Sequence, residues 1–161
     1  MPLSVYTAGT TLYKTDACYN GLTVILLKGE KGPEVALINM EGEPVKRWAM
    51  DDAKGGGVPR ARLLPNGNLL VLRQARGPSG CVQEYDWDGH LVWAYAPQDG
   101  LQVHHDVEKT ADGNTLVLSR EEVPEEIRSK AKEPERREML YADVIQEISP
   151  EKEVVWEWHL W

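Results

Sequence analysis

The sequence is short of cysteines, of long apolar stretches and of positive charge, and each shortage excludes a class of protein. Its 161 residues include two cysteines, Cys18 and Cys81, which are too few for a disulfide framework, so we expect both to be structural thiols. No apolar run approaches the roughly 18 residues of a membrane-spanning helix, and no membrane association is expected. The formal net charge of −8 argues against nucleic acid as a partner, because phosphate binding needs a basic face.

The amino terminus also lacks the features of a secretory signal. Residues Met1–Tyr6 have neither a basic start nor the beginning of an apolar segment. The sequence therefore predicts a soluble protein that stays in the cytoplasm, unless a presequence has been removed.

A short motif with a tryptophan occurs three times along the chain. Each copy joins a polar turn to a short β-like run, and the first two copies carry a glycine in the turn. The copies are Asn39–Trp48, Asp86–Trp93 and Ser149–Trp156, and their tryptophans are 45 and 63 residues apart. We interpret the tryptophans as one position of a repeat, where they pack the repeats against each other.

A second motif supports the repeat and explains its uneven spacing. Pro65–Leu72 is echoed by Ala111–Leu118, and the offset between the two copies is 46 residues. The excess length of the third copy comes from the charged segment Glu121–Tyr141, which we interpret as an insertion between two strands. Strong helix formers with glutamates near their start predict a short helix from about Pro124 to Lys132, on the rim of the fold.

Repeats of about 40 to 50 residues with several strands each are typical of β-propeller blades. We therefore predict an all-β fold in a single domain over residues 1–161, with three four-stranded antiparallel blades. The blades are expected at about residues 5–50, 58–96 and 101–161, the last with the insertion at 121–141. A leading strand at Val5–Tyr13 is expected to pair with the last blade or with another chain.

The segment with the most chemical promise contains His104, His105 and Asp106. The 46-residue offset places residues 58–60 at the same positions of the second blade, so the repeat itself does not require histidine there. Alternate residues of a strand face opposite sides, so the two imidazoles converge only if a bulge redirects one of them. Asp106 falls on the side of His104, where a carboxylate could fix its tautomer or raise its pKa, as a base or nucleophile requires.

Two other readings of the histidines stay open. They can be structural residues that pack between blades, or they can bind a metal. A metal is the least favoured reading, because only two of the four histidines lie together and a site normally needs about three protein ligands. Neither a metal nor a cofactor is therefore expected. Arg60 and Arg62, on the first strand of the second blade, could add positive charge to the same channel for substrate binding, or they could simply be exposed.

The order of these motifs resembles the arylsulfotransferase family over nearly the whole chain. The segments that carry the resemblance are Tyr19–Thr23, Leu37–Gly42 with Trp48, Leu64–Asn68, Glu84–Gly89, His104–Asp106 with Asp112–Leu116, Ala142–Ile145 and Val154–Trp158. The resemblance implies a six-bladed propeller that transfers a sulfuryl group from a phenolic sulfate ester to a phenol acceptor through a sulfated histidine. Further histidine and arginine side chains would hold the sulfate. His104 and His105 match a histidine pair of the family, and which of them is the nucleophile is left open.

Three predicted blades are half of such a ring. We expect either a fragment, or two copies that pair as three plus three blades and so self-associate around a two-fold axis. A non-catalytic propeller that serves binding or structural assembly is the alternative from another class, because propellers host many functions. A quinone-cofactor propeller is a third reading, suggested only by the spacing of Asp86, Gly89 and Trp93.

Overall fold

The computed structural model describes residues 9–50, 57–74, 80–98, 100–133 and 139–161. These residues form eleven strands in three antiparallel sheets and one short helix, which confirms the all-β class. The chain divides into two compact units, Met1–Asp51 and Asp52–Trp161. The strands and the helix are β1 (Thr23–Gly29), β2 (Gly32–Ile38), β3 (Pro44–Ala49), β4 (Arg60–Leu63), β5 (Leu69–Arg73), β6 (Cys81–Tyr85), β7 (Leu91–Tyr95), β8 (Gln102–Lys109), β9 (Thr115–Glu122), α1 (Glu125–Arg128), β10 (Tyr141–Ile148) and β11 (Val154–His159).

The first unit contains the first sheet, in the order β1-β2-β3. The prediction of a fourth, leading strand is not met in the residues that are described. Residues 5–8 of that segment lie outside the described ranges, and residues 9–13 form no strand. Gly9 has a φ of 85°, and the Thr10 hydroxyl donates a hydrogen bond to the Met40 carbonyl at 2.9 Å. A left-handed residue followed by a side-chain contact is loop geometry, because a β ladder needs extended backbone.

The second unit contains two four-stranded sheets. The second sheet has the order β4-β5-β6-β7, and the third sheet has the order β8-β9-β10-β11, so both are meanders of hairpins. The turns that open them match: the Leu64 N–H donates to the Asn68 carbonyl at 2.8 Å, and the Thr110 N–H donates to the Asn114 carbonyl at 2.9 Å. The two turns lie 46 residues apart in the sequence and are closed by the same backbone hydrogen bond.

The tryptophan spacing, in contrast, predicted that Trp48 is equivalent to Trp93, and this prediction is wrong. Equivalent turns are closed by backbone hydrogen bonds within residues 39–43, 86–90 and 149–153, which puts the first two turns 47 residues apart. Trp93 and Trp156 are equivalent, because each pairs at the start of a bulge, whereas the residue at that place in the first sheet is Lys46. Trp48 lies two residues further along β3. The turns, and not the tryptophans, keep the register of the repeat.

The insertion in the third sheet is shorter than predicted. β9 continues to Glu122, which pairs with Tyr141 at the start of β10, so the strands occupy both ends of the predicted insertion. The predicted helix is confirmed as α1, but it ends at Arg128. Pro124 is the N-cap of α1, and its carbonyl accepts a hydrogen bond from the Arg128 N–H at 3.0 Å.

The second and third sheets share one hydrophobic core. Its buried members are Leu64, Leu70, Leu72, Val82, Tyr95, Val103, Val107, Val117 and Ile148, with Trp93 packed against them. The buried Glu84 and the half-buried Lys109 form an ion pair beside this core, because Lys109 Nζ lies 3.0 Å from Glu84 Oε2 and 5.1 Å from the centre of the Trp93 ring. The Trp93 Nε1–H donates to the Pro150 carbonyl at 3.0 Å. Indole, lysine and carboxylate thus join the two sheets in one contact.

Candidate active site

The first strand of the third sheet is bulged at the predicted histidines. Val103 pairs with Ser119 and Val107 pairs with Val117, so four residue steps on β8 oppose two on β9. His104, His105 and Asp106 therefore leave the ladder, and His105 adopts a φ of 60°. A left-handed conformation at a residue other than glycine is uncommon and is found preferentially at functional sites.

The bulge brings the two imidazoles together, as sequence reasoning required. Their ring centres lie 4.8 Å apart, and the ring planes meet at 72°. The His104 side chain is 15% exposed, and its Nε2 lies 3.1 Å from Asp143 Oδ1 of β10. That contact has the distance of an ion pair but not the angles of a hydrogen bond, so Nε2 is a buried nitrogen without a hydrogen-bond partner. His105 is exposed.

Asp106 contacts two arginines of the second sheet. Arg60 Nε and Arg62 Nη2 each lie 3.0 Å from Asp106 Oδ1. Partial burial raises the pKa of Asp106, but the Val107 N–H and the two guanidinium groups outweigh it, and the pKa is lowered. Arg62 also donates to the Val107 carbonyl and pairs with Glu108 at 2.8 Å. The carboxylate that contacts His104 is therefore Asp143, and the charges of both predicted arginines are offset by carboxylates.

The two histidines border a cleft between the second and third sheets with a volume of about 240 Å³. The residues that line it are Pro59, Gln74, Gly80, Gln102, Val103, His104, His105 and Arg120. Arg60 and Arg62 do not belong to this lining. Gly80 permits the close approach of the strands, because a Cβ there would lie 2.5 Å from both the Arg73 carbonyl oxygen and Val103 Cγ2.

Arg120 is the residue of this cleft that sequence reasoning missed. Its Nε and Nη2 donate to Gln102 Oε1 at 3.1 and 2.9 Å, and its guanidinium lies 5.3 Å from the centre of the Tyr141 ring. No carboxylate of the described ranges forms an ion pair with it. An amide and a ring orient this cation without neutralising it. The signal was present in the sequence, because the 46-residue offset places Gln74 at the position of Arg120.

The part of the chain that the structure describes contains no group of three His, Cys, Asp or Glu residues placed to hold a metal ion. It also contains no helix that is long and apolar enough to cross a membrane. Within the described residues, neither Cys18 nor Cys81 forms a disulfide.

Comparison with known families identifies the chain. The arylsulfotransferase (ASST) family matches residues 13–161. The chain therefore belongs to this family, as the order of its motifs predicted.

Four chains of known structure match as well. One is the crystal structure, at 1.35 Å resolution, of a protein of unknown function from Bacteroides caccae, which is 17% identical with a TM-score of 0.42. The match covers 85% of this chain and 57% of that one, so the chain spans little more than half of its structural relative. No curated protein matches the chain.

Proposed function

We propose that the cleft beside His105 transfers a sulfuryl group from a phenolic sulfate ester to a phenol. The observation that carries the proposal is the meeting of an exposed imidazole and an arginine without a carboxylate partner in one cleft. A sulfuryl group needs a nucleophile at sulfur and positive charge beside its oxygens, and the cleft supplies one of each. Membership of the arylsulfotransferase family supports the same reaction class.

His105 is the nucleophile in this proposal. Its ring is exposed, whereas the Nε2 atom of His104 is buried against Asp143. A ring nitrogen of His105 attacks sulfur, the bond from sulfur to the ester oxygen breaks, and the phenolate leaves with the electron pair. The acceptor oxygen then attacks the same sulfur, and the electron pair of the sulfur–nitrogen bond returns to the imidazole. The proton of the acceptor hydroxyl ends on the departed phenolate, so no other reagent is consumed.

The neighbouring groups have supporting roles. Arg120 stabilises the negative charge on the sulfuryl oxygens, and Gln102 and Tyr141 hold its guanidinium in place. His104, whose Nε2 lies 3.1 Å from Asp143 Oδ1, contacts the ring of His105 edge to face and orients it. That Asp106 is catalytic, and that Arg60 or Arg62 binds substrate, stay predictions. Their mutual ion pairs favour a role in holding the bulge of β8 against the second sheet.

We also propose that the three sheets are blades of a propeller whose first strands line a central channel, and that a second copy of the chain completes the ring. The bulged first strand of the third sheet would then present both histidines to the channel. The exposed face of the third sheet, which carries Trp156 and Trp158 at 49% and 45% exposure, supports self-association.

Transfer from 4-nitrophenyl sulfate to phenol tests the proposal, because the released nitrophenolate is coloured. We expect His105→Ala to abolish transfer and Arg120→Ala to lower kcat by about 100-fold, the usual loss when one oxyanion-stabilising group is removed. His90→Ala is the matched control, since His90 lies in an exposed turn of the second sheet with its side chain 77% exposed. A folded assembly that binds the ester but transfers nothing would instead be a binding module.

A further inference from the structure

One face of the third sheet repeats a face that is buried in the second sheet. The face of the second sheet that packs on the third carries Leu70, Leu72, Val82, Glu84, Trp93 and Tyr95. Strand register places Leu116, Leu118, Ile145, Glu147, Trp156 and Trp158 at the equivalent positions of the third sheet. These six residues, here called the far face, point away from the second sheet.

Between the second and third sheets, a glutamate binds both an asparagine of its own sheet and a lysine of the next sheet. The far face has the glutamate and the asparagine of this contact but, in the described part of the chain, not the lysine. In the complete contact, Glu84 accepts from the Asn68 amide at 2.7 Å and pairs with Lys109 of the next sheet at 3.0 Å. On the far face, Glu147 accepts from the Asn114 amide at the same 2.7 Å. Yet among the described residues no lysine or arginine pairs with Glu147.

Trp156 lacks a partner in the same way. Its counterpart Trp93 donates to the Pro150 carbonyl of the next sheet and lies beside Lys109. In the described ranges nothing accepts a hydrogen bond from Trp156, and its side chain is 49% exposed. A neighbouring sheet that provides a turn carbonyl and a lysine would therefore complete the contacts of Trp156 and Glu147.

The first unit contains a cleft with those two groups. Its volume is about 410 Å³, and its lining includes Thr23, Ile38, Met40 and Lys14. Thr23, Ile38 and Met40 correspond in the repeat to residues 115, 148 and 150 of the third sheet. Those three residues lie beside Trp93 or Lys109. Lys14, which follows residues 9–13, supplies a cation at the edge of the cleft.

We propose that the far face docks on the first unit of a second copy of this chain, with Trp156 seated in this cleft. The indole N–H donates to the Met40 carbonyl, and Glu147 faces Lys14. The far face and the cleft are both present in this chain, and the charges of Glu147 and Lys14 are complementary. A second copy is therefore favoured over an unrelated protein as the binding partner. Arg120 and Asp143 are cross-strand neighbours on the same face of the third sheet as the far face. The second copy would therefore also cover one side of the candidate active site. This inference rests on the self-association proposed above.

The molecular mass in solution gives the first test. The intact chain is expected at twice 18.1 kDa, and Trp156→Ala is expected to raise the dimer dissociation constant by at least about 30-fold, as loss of a hot-spot tryptophan does. Trp87→Ala is the matched control, because Trp87 is 46% exposed but lies in a turn of the second sheet. A monomer at all concentrations, or a dimer that both substitutions leave equally tight, overturns the proposal.

Charge exchange gives the second test and separates contact from folding. Glu147→Lys and Lys14→Glu should each weaken the dimer, and the double variant should recover most of the affinity, because each copy then offers the reversed pair. With oxidised glutathione as the oxidant, which is reduced to two molecules of glutathione, Trp156→Cys should form an intermolecular disulfide with Cys18, which lines the same cleft, and Cys18→Ser should abolish it. A double variant weaker than either single variant overturns the docking surface. Sulfuryl transfer is judged separately by its own assay.

Discussion

The second and third sheets have the same strand order and the same turns, but they differ where the candidate active site lies. Gln74 and Gly80 of the second sheet stand at positions that the third sheet fills with Arg120 and Asp143, and His105 lies in a bulge that the second sheet lacks. In the third sheet the first strand is also bulged. The chemistry is therefore concentrated at the places where one repeat departs from the other.

Burial explains why these departures are tolerated in one sheet only. Position 80 of the second sheet is covered by Val103 of the next sheet, so no side chain fits there. The equivalent Asp143 of the third sheet is half exposed and turns its carboxylate to His104. A sheet face that packs on the neighbouring sheet is constrained by sterics, whereas an exposed face can hold polar groups.

The largest effect is expected at the buried carboxylate of the second sheet. Glu84→Gln removes the partner of Lys109 inside the core, and we expect a loss of about 3 kcal/mol in the free energy of unfolding. The equivalent Glu147→Gln should cost less than about 1 kcal/mol in the monomer, since it has no lysine partner in the described residues. Urea denaturation of both variants checks the comparison. Equal losses would mean that the two faces are not differently buried.

A smaller effect is expected from a methyl group at position 80. Gly80→Ala places a Cβ 2.5 Å from a backbone oxygen and from Val103 Cγ2, and we expect about 2 kcal/mol of destabilisation, because neither neighbour can move freely. The change should also displace β8 and so reduce sulfuryl transfer. Gly57→Ala is the control, since its Cβ would meet nothing within 4 Å. Its unfolding midpoint should match that of the unaltered chain.

Much of the fold was predictable because turns leave strong marks in sequence. The glycines of the Asn-Gly and Asp-Gly pairs, Gly67 and Gly113, adopt left-handed backbone, and the spacing of these pairs gave the 46-residue offset of the second and third sheets. The leading strand was wrong in its described part for a related reason. Gly9 is left-handed within a segment whose composition favours a strand, and composition does not report the conformation of one residue.

The site was only partly predictable. His104 and His105 were found as a departure from the repeat, and the bulge that joins them was one of two expected geometries. Arg120 and Asp143 were missed, because their meeting depends on the pairing of β9 with β10 across an insertion. Sequence spacing over a loop of that length does not fix which residues face each other. The ion pair of Arg60 with Asp106 is a tertiary contact that sequence spacing does not reveal, and a substrate-binding role of Arg60 stays a prediction.

The smallest effect is expected at His159. The two sheets also differ at this position, because the equivalent residue of the second sheet is Ala96. A hydrogen bond with Glu121 raises the pKa of His159, burial opposes the rise, and contact with Glu157 supports it. A raised pKa in the folded state stabilises the fold at pH values below the unfolded pKa of about 6.5, and this contribution is lost as the pH rises through the folded value. His159→Gln should therefore cost about 1 kcal/mol at pH 5 and almost nothing at pH 9, in urea titrations at both pH values. A His159→Gln loss that is the same at both pH values would show that packing, not protonation, ties the end of β11 to β9.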